Sequence, residues 1–311
     1  MHNLICIAGP TASGKTALSI ALAKELNGEI VSCDSMQVYR HMDIGTAKPS
    51  LSERQGIVHH MLDVADPWED YSVSRYCAEA TPIVEDILAR GKTAIVVGGT
   101  GLYMDSLIKG NDFAPFPSTG VREALEAEAD QIGMEAMLAR LQSIDPEAAA
   151  KLHLSDRKRI IRALEVFLET GQTITAHNIR TQSLPPKFNP LWLALEDENR
   201  QELYQRIDRR VDTMLEQGLL AEIENLLALG IPRKATSLQA IGYKEFLAAM
   251  DGAYSIEQAA AMVKQGSRHY AKRQLTWFRR NEKIHWLRRG SGFGSEEILA
   301  AARQIALECD N

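Results

Sequence analysis

At 311 residues the chain is too long for one minimal core; at about 150 residues per domain, two units, or one α/β core with an insertion, are expected. Its 45% hydrophobic and 24% charged content excludes a disordered or fibrous chain, and the lack of any run of about 18 apolar residues excludes a transmembrane helix. The formal charge of −6, taken whole, argues against a polyanionic partner, yet residues 264–289 hold nine basic residues against the single acid Glu282 and carry +8, leaving −14 on the rest.

Residues 3–8 form a short apolar run stopped by Gly9-Pro10, the pattern of a strand buried on both faces. Residues 15–26 then place Leu18, Ala21, Leu22 and Leu26 at helical spacing. Apolar stretches at 29–33, 93–97 and 190–195 predict further strands, the first ending at Asp34, the second at Gly98-Gly99-Thr100, and the third following Leu184-Pro185-Pro186. Strands alternating with helices argue for a parallel sheet covered on both faces. From about 118 to 179 the pattern is helical only, at 121–131, 134–143, 145–152 and 155–170, with Asp145 before Pro146 as a start and Gly171 as a stop. Flanked by Pro115-Phe116-Pro117 and Pro185-Pro186, this block reads as a helical insertion at 116–189, between a first core part at 1–115 and a completing part at 190–311. The completing part is mostly helical, at 200–217, 219–229, 242–250 and 255–280, the last opened by a capping box of Ser255 and Gln258.

The N-terminus lacks the basic region, apolar stretch and cleavage site of a signal peptide. Cys6, Cys33, Cys77 and Cys309 form no CxxC pair, so neither a zinc cluster nor a disulfide framework is indicated, and a reduced, cytoplasmic protein is expected.

Gly9-Pro10-Thr11-Ala12-Ser13-Gly14-Lys15-Thr16 matches G-x-x-x-x-G-K-[ST] between a predicted strand and a predicted helix, which is the context the motif requires. Chance supplies roughly 0.01 matches in a chain of this length, so a phosphate site is expected. Its glycines let successive N–H groups point at an anion below a helix N-terminus, Lys15 adds a positive charge, and the Thr16 hydroxyl can hold Mg²⁺. Most such loops bind a nucleoside triphosphate and use an acid at the end of a neighbouring strand. The strand at 93–97 ends in glycines instead, and an acid appears at Asp34, within Asp34-Ser35-Met36-Gln37. A carboxylate there can coordinate metal, accept a proton or cap a turn; Ser35 and Gln37 suit a nucleobase edge. Arg206 and Arg210 share a helix face at i, i+4. The adjacent His59-His60 alternate sides in a strand-like run and are read as structural.

The segments GPTASGKT (9–16), DSMQVYRHMDIGTAKP (34–49), HHMLD (59–63), VGGTGLY (97–103), RALEVF (162–167), GYKE (242–245) and AKRQLTWFR (271–279) resemble, in order and nearly end to end, those of the bacterial tRNA dimethylallyltransferases, also called tRNA isopentenyltransferases. The resemblance implies a P-loop NTPase-like α/β fold, a parallel sheet flanked by helices with an all-helical insertion domain. It implies transfer of a dimethylallyl group from dimethylallyl diphosphate to the exocyclic amine of the adenosine 3′-adjacent to the anticodon, in tRNAs reading codons that start with U. The loop at 9–16 and Arg210 then hold the donor diphosphate, with Lys15 and Mg²⁺ on Thr16 stabilising the charge that develops there. Asp34 is implied as the general base, and Thr100 as a residue that positions the reacting groups.

For RNA, the resemblance implies contact at Asp34, Ser35, Met36 and Gln37, at Lys158, Arg159, Ile160, Ile161 and Arg162 of the insertion, and at Lys272 and Arg273 of the basic segment. Within that segment Tyr270, Trp277, Phe278 and Trp286 interleave with cations, as for stacking on unpaired bases, although Trp277 and Phe278 are expected to face the core. The target base is expected to be extruded into a pocket near residues 34–37. The expected partners are the tRNA anticodon stem-loop and dimethylallyl diphosphate, without a membrane, and the protein itself is expected to be a monomer. Two alternatives stay open at this point: an isopentenyltransferase using free adenine nucleotides, and a P-loop kinase or ATPase with an RNA-binding surface. The basic helix and the insertion favour tRNA over a mononucleotide, which needs neither.

Overall fold

Five consecutive apolar residues, Leu4–Ala8, form strand β1, and every one is buried. In the computed structural model, which describes residues 3–110, 119–290 and 294–308, β1 lies within a six-stranded sheet. Pro115, Phe116, Pro117 and Cys309 fall outside the described residues. The other strands are β2 (Gly28–Ser32), β3 (His59–His60), β4 (Thr93–Val97), β5 (Leu191–Asp197) and β6 (Ile284–Arg289), in the spatial order β3-β2-β4-β1-β5-β6. All pairings are parallel; Ile5 stands opposite Ile95 on one side and Leu191 on the other.

Burial on both faces explains the unbroken apolar runs. On one face, Ile5, Ile7, Ile30, Ile95, Leu193 and Leu195 pack against Leu18 and Leu22 of α1 (Lys15–Glu25) and Ile298 and Ala302 of α12 (Ser295–Glu308). Each such fully buried aliphatic side chain contributes about 1.5–3 kcal/mol. Helices α2 (Val73–Ala89), α3 (Gly101–Lys109), α8 (Arg200–Glu216) and α11 (Ile256–Phe278) complete the layering, with α2 on β2 and β4, α8 on β5, and α11 on α3 and α8. Between α8 and α11 come α9 (Leu219–Ala228) and α10 (Tyr243–Met250), the latter packed on α11. The capping box at Ser255 and Gln258 forms as expected.

The chain divides into two compact units, Met1–Gly110 with Lys187–Asn311, and Asn111–Pro186. In the second, α4 (Val121–Ile144) breaks at Gly133, whose φ of 81° lies outside the helical region, which is where the sequence separates two helices. Asp145 caps α5 (Pro146–Ala149), and Gly171 in the left-handed conformation ends α6 (Arg157–Thr170), which α7 (Ile174–Ser183) follows. Leu125, Met137, Leu141, Ile160, Ile161 and Leu164 form this unit's own core.

One element was not expected: α11 ends at Phe278, close to the expected end at 280, and residues 284–289 then form the edge strand β6. Ile284 and Leu287 are buried there and Arg288 is exposed, while the Arg289 guanidinium packs on Gly14, where a Cβ would stand 2.7 Å from it.

Candidate active site

The loop between β1 and α1 turns under constraint. Gly9 (φ 143°), Ala12 (φ 60°) and Gly14 (φ 92°) all lie at positive φ, and a side chain at Gly9 would stand 3.0 Å from the Leu195 carbonyl of β5. Three side chains hold the loop in shape. Gln274 of α11 accepts from the Thr11 N–H (2.9 Å). Arg206 of α8 donates to the Ala12 carbonyl (3.0 Å) and pairs with the buried Asp197 at the end of β5 (2.6 Å). Lys15 donates to the Pro10 carbonyl (2.6 Å). The Ser13 hydroxyl is buried without a hydrogen-bond partner.

Above the loop opens a cavity of about 650 Å³, whose wall includes residues 11–16, Asp34, Gln37, Arg206 and Arg210. Lys15 and Arg210 make no ion pair among the described residues. Burial, and then the positive charge of Arg210, bring the Lys15 amine down to about 7, while Asp34 opposes the shift. Burial also lowers Arg210, against the attraction of Asp34 and Glu53. Two cations whose charge burial disfavours, one of them further weakened by the other, define a site that gains when an anion enters.

Asp34 follows β2, and one of its carboxylate oxygens, Oδ1, accepts from the N–H groups of Met36 (2.8 Å) and Gln37 (3.3 Å). The turn-capping role and the cavity-facing role therefore coexist: Oδ1 builds the turn, and Oδ2 makes no hydrogen bond among the described residues. Thr100 occupies the position before α3, but its hydroxyl does not cap the helix; it accepts from the Ser35 N–H (3.1 Å). Gln37, read in the sequence as a nucleobase contact, directs its amide elsewhere. Its nitrogen donates to the carbonyls of Thr46 and Ala47 (3.2 Å each), and its oxygen accepts from Ser32 (3.1 Å).

That arrangement fixes the loop 43–48 as part of the cavity wall. Glu222 of α9 accepts from the N–H groups of Asp43, Ile44 and Gly45 and from the Tyr243 hydroxyl. The nearly buried Lys48 amine contacts Asp43 and Asp63 (2.6 Å each) and the Tyr39 carbonyl (2.8 Å). The DIGTAKP and GYKE segments thus meet as scaffold. Of the two histidines, His60 pairs with Glu29 (2.8 Å) as a structural residue would, whereas His59 opens onto the cavity, with its Nε2 buried and unpartnered.

Two residues of α11 line the cavity: Tyr270, which the sequence suggested only as a base-stacking aromatic, and Gln274, which sequence reading missed. Burial, reinforced by Asp34, pushes the Tyr270 phenol up to about 12, and its hydroxyl approaches the side chains of Thr100 and Gln274. Their spacing with Trp277, at i, i+4 and i+7, was the available signal: it puts all three on one helix face. Trp277 donates to Asp105 of α3 (2.9 Å) and Phe278 is buried, as expected for both.

The basic surface is narrower than its +8 implies. Lys264 and Arg268 pair with Asp212 and Asp208 of α8, and Arg279 and Arg288 with Glu196 of β5. Lys272 and Arg273 are exposed on α11 and make no ion pair among the described residues; Arg273 lies 5.5 Å from the Tyr270 ring centre. In the helical unit, Lys158 and Arg159 are exposed, Arg159 lying 3.7 Å from Asp156, while Arg162 pairs with Glu165 (2.8 Å). Ile160 and Ile161 are corrected: both side chains are buried in that unit's core and present no surface to RNA.

A parallel sheet with a phosphate loop after β1 and unpaired cations facing it defines a P-loop α/β protein. Residues 37–281 match the family described as IPP transferase, and residues 2–66 that described as isopentenyl transferase. The chain is 43% identical over 300 residues to the tRNA dimethylallyltransferase of Acetivibrio thermocellus, covering 96% of each. It is 47% identical over 299 residues to that of Alkaliphilus oremlandii, covering 96% of this chain and 95% of the relative. Among solved structures it is similar to the full-length tRNA isopentenylpyrophosphate transferase of Bacillus halodurans, with 41% identity, coverage of 98% and 96%, and a TM-score of 0.73. It is also similar to a eukaryotic dimethylallyltransferase acting on tRNA, with 34% identity, coverage of 99% and 78%, and a TM-score of 0.83. The chain belongs to the IPP transferase family, and is an enzyme of the transferase class. Among the described residues, no helix is long and apolar enough to cross a membrane.

Proposed function

We propose that this chain transfers the dimethylallyl group of dimethylallyl diphosphate to the exocyclic amine of the adenosine 3′-adjacent to the anticodon, in tRNAs that read codons starting with U. One observation carries the reading: Lys15 and Arg210, which make no ion pair among the described residues, share a cavity with the Asp34 Oδ2, which makes no hydrogen bond among them. A diphosphate satisfies the first two, and a proton leaving an amine satisfies the third.

The allylic C–O bond breaks, and its electron pair goes to the diphosphate oxygen. Loop N–H groups, Lys15 and the planar fork of Arg210 face that developing charge and stabilise it. The amine nitrogen forms the new C–N bond and becomes positive as it does so. Its proton is then acidic enough for a carboxylate, and Asp34 takes it. Thr100, held on the Ser35 N–H, fixes the wall on which Asp34 sits.

Among the described residues no group of three or more His, Cys, Asp or Glu side chains forms a metal cage. Magnesium still fits, because that ion is typically held by one or two protein oxygens, phosphate oxygens and water. The Thr16 hydroxyl, exposed at the mouth of the loop, is the group that would hold it, and the ion would add charge neutralisation at the diphosphate. Exposed Lys158 and Arg159 on the helical unit, and Lys272 and Arg273 on α11, are the proposed phosphate contacts for the anticodon stem-loop.

The test is incubation with labelled dimethylallyl diphosphate and Mg²⁺, with unmodified tRNA or AMP as acceptor, and ATP hydrolysis followed separately. Label in tRNA supports the proposal. Label only in AMP, or ATP turnover without prenyl transfer, refutes it.

A further inference from the structure

Gln274 connects the two halves of the cavity. It stands on α11, nearly buried, and spends its amide on two loops distant in sequence. Its oxygen accepts from the Thr11 N–H of the phosphate loop (2.9 Å), and its nitrogen donates to the Gly99 carbonyl (3.0 Å). Position 99 is shaped around it: a Cβ on Gly99 would lie 2.0 Å from the Gln274 nitrogen. The next residue, Thr100, carries the contact onward to Ser35, beside Asp34. A Cβ on Gly98 would overlap the Cys33 carbonyl at 1.9 Å, so this loop packs directly on the backbone before Asp34. The path therefore runs from the leaving-group side (Thr11) through Gln274, Gly99, Thr100 and Ser35 to the base (Asp34).

We propose that Gln274 is a positioning residue for the prenyl transfer, setting the spacing between the diphosphate loop and the wall that carries Asp34. The inference rests on the transfer reaction proposed above. Displacement at an allylic carbon needs the departing oxygen and the attacking nitrogen on opposite sides of one atom, and a misplacement of about 1 Å costs on the order of 10²-fold. Each substrate keeps its own ligands without Gln274: Lys15, Arg210 and the loop amides, the loop still held by Arg206 at Ala12 and Lys15 at Pro10, belong to one side and Asp34 to the other. The loss therefore falls on turnover rather than on binding.

The experiment compares the wild type with Gln274→Ala, Gly99→Ala and the double variant. Measured for each are kcat for transfer to tRNA, equilibrium binding of dimethylallyl diphosphate and of tRNA, and Tm. Each single variant is expected to lose roughly 10- to 100-fold in kcat, with both affinities within about 3-fold of wild type and Tm little changed. Truncating Gln274 makes room for a methyl at position 99, so the double variant should be no worse than the poorer single variant. Unchanged kcat in an active background, multiplication of the two single defects, or a fall of affinity and Tm in step with kcat would each overturn the assignment. Absence of any transfer by the wild type overturns the functional reading, and this inference with it.

Discussion

Replacement of Arg210 by Met keeps much of the side chain's length and removes its charge. Arg210 has no carboxylate partner to strand among the described residues, so the substitution leaves no buried acid uncompensated. The variant forgoes charge-assisted hydrogen bonding to the donor, at about 1.5–3 kcal/mol for each such bond. For one such bond, the expected cost is about 1.5–3 kcal/mol in the transition state, or roughly 10- to 160-fold in kcat/KM for dimethylallyl diphosphate, and more for a bidentate contact. A second consequence has the opposite sign. Arg210 is one of the two causes that bring Lys15 down to about 7, so its removal raises the Lys15 pKa. Donor affinity in the wild type should fall as pH rises through about 7, where Lys15 of the free enzyme gives up its proton; in Arg210→Met that fall moves to higher pH. Steady-state kinetics of transfer to tRNA reads the first effect, and calorimetric titration of a non-hydrolysable donor analogue from pH 6 to 9 reads the second. Weakened tRNA binding with normal donor binding, or a fall-off that moves to lower pH, would refute the reasoning.

Donor binding at pH 8 should take up nearly one proton, because an arriving anion restores the charge on Lys15; the binding enthalpy then varies with the ionisation enthalpy of the buffer, and Lys15→Met removes that dependence. Asp34→Asn should lower turnover roughly 10²- to 10⁴-fold while tRNA binding persists, measured by single-turnover transfer and filter binding. Near-normal turnover would remove Asp34 as the base. Joint replacement of Lys272 and Arg273 by Ala should weaken tRNA binding and reduce the slope of log affinity against log salt by up to about 2. An unchanged slope would place the RNA surface elsewhere.

The parts of the fold that could be read from the sequence are those where one residue type has one physical consequence. Apolar runs bounded by glycine or an acid mark β1, β2, β4 and β5, and Gly133, Asp145, Gly171 and Ser255 mark helix boundaries through backbone conformation and capping. Strand β6 was hidden because an edge strand needs few apolar residues, and His285, Arg288 and Arg289 made it resemble the basic helix before it. Asp197 was missed for a topological reason. The flanking acid was sought after residues 93–97, but β1 has a second neighbour, β5, which ends in Glu196 and Asp197. That acid serves Arg206, and through it the Ala12 carbonyl, rather than facing the cavity.

In the site, the phosphate loop and Asp34 were legible because their spacing carries the chemistry. The role of Gln274 was not, since a polar helix face that binds loops has the same composition as one that faces water; only its spacing with Tyr270 and Trp277 hints at a shared face. Ile160 and Ile161 show the converse error. They sit inside a basic motif, yet their spacing with Leu164 is that of a buried stripe, and the helical core takes them.

The proposed reaction is tested most directly by nucleoside analysis of tRNA from cells lacking this protein. The dimethylallyl group should be missing from the adenosine 3′ to the anticodon in tRNAs reading codons that start with U. The wild-type chain should restore the group, and Asp34→Asn should not. Persistence of the modified nucleoside in the deletion strain, or full restoration by Asp34→Asn, would contradict the reaction and its assigned base.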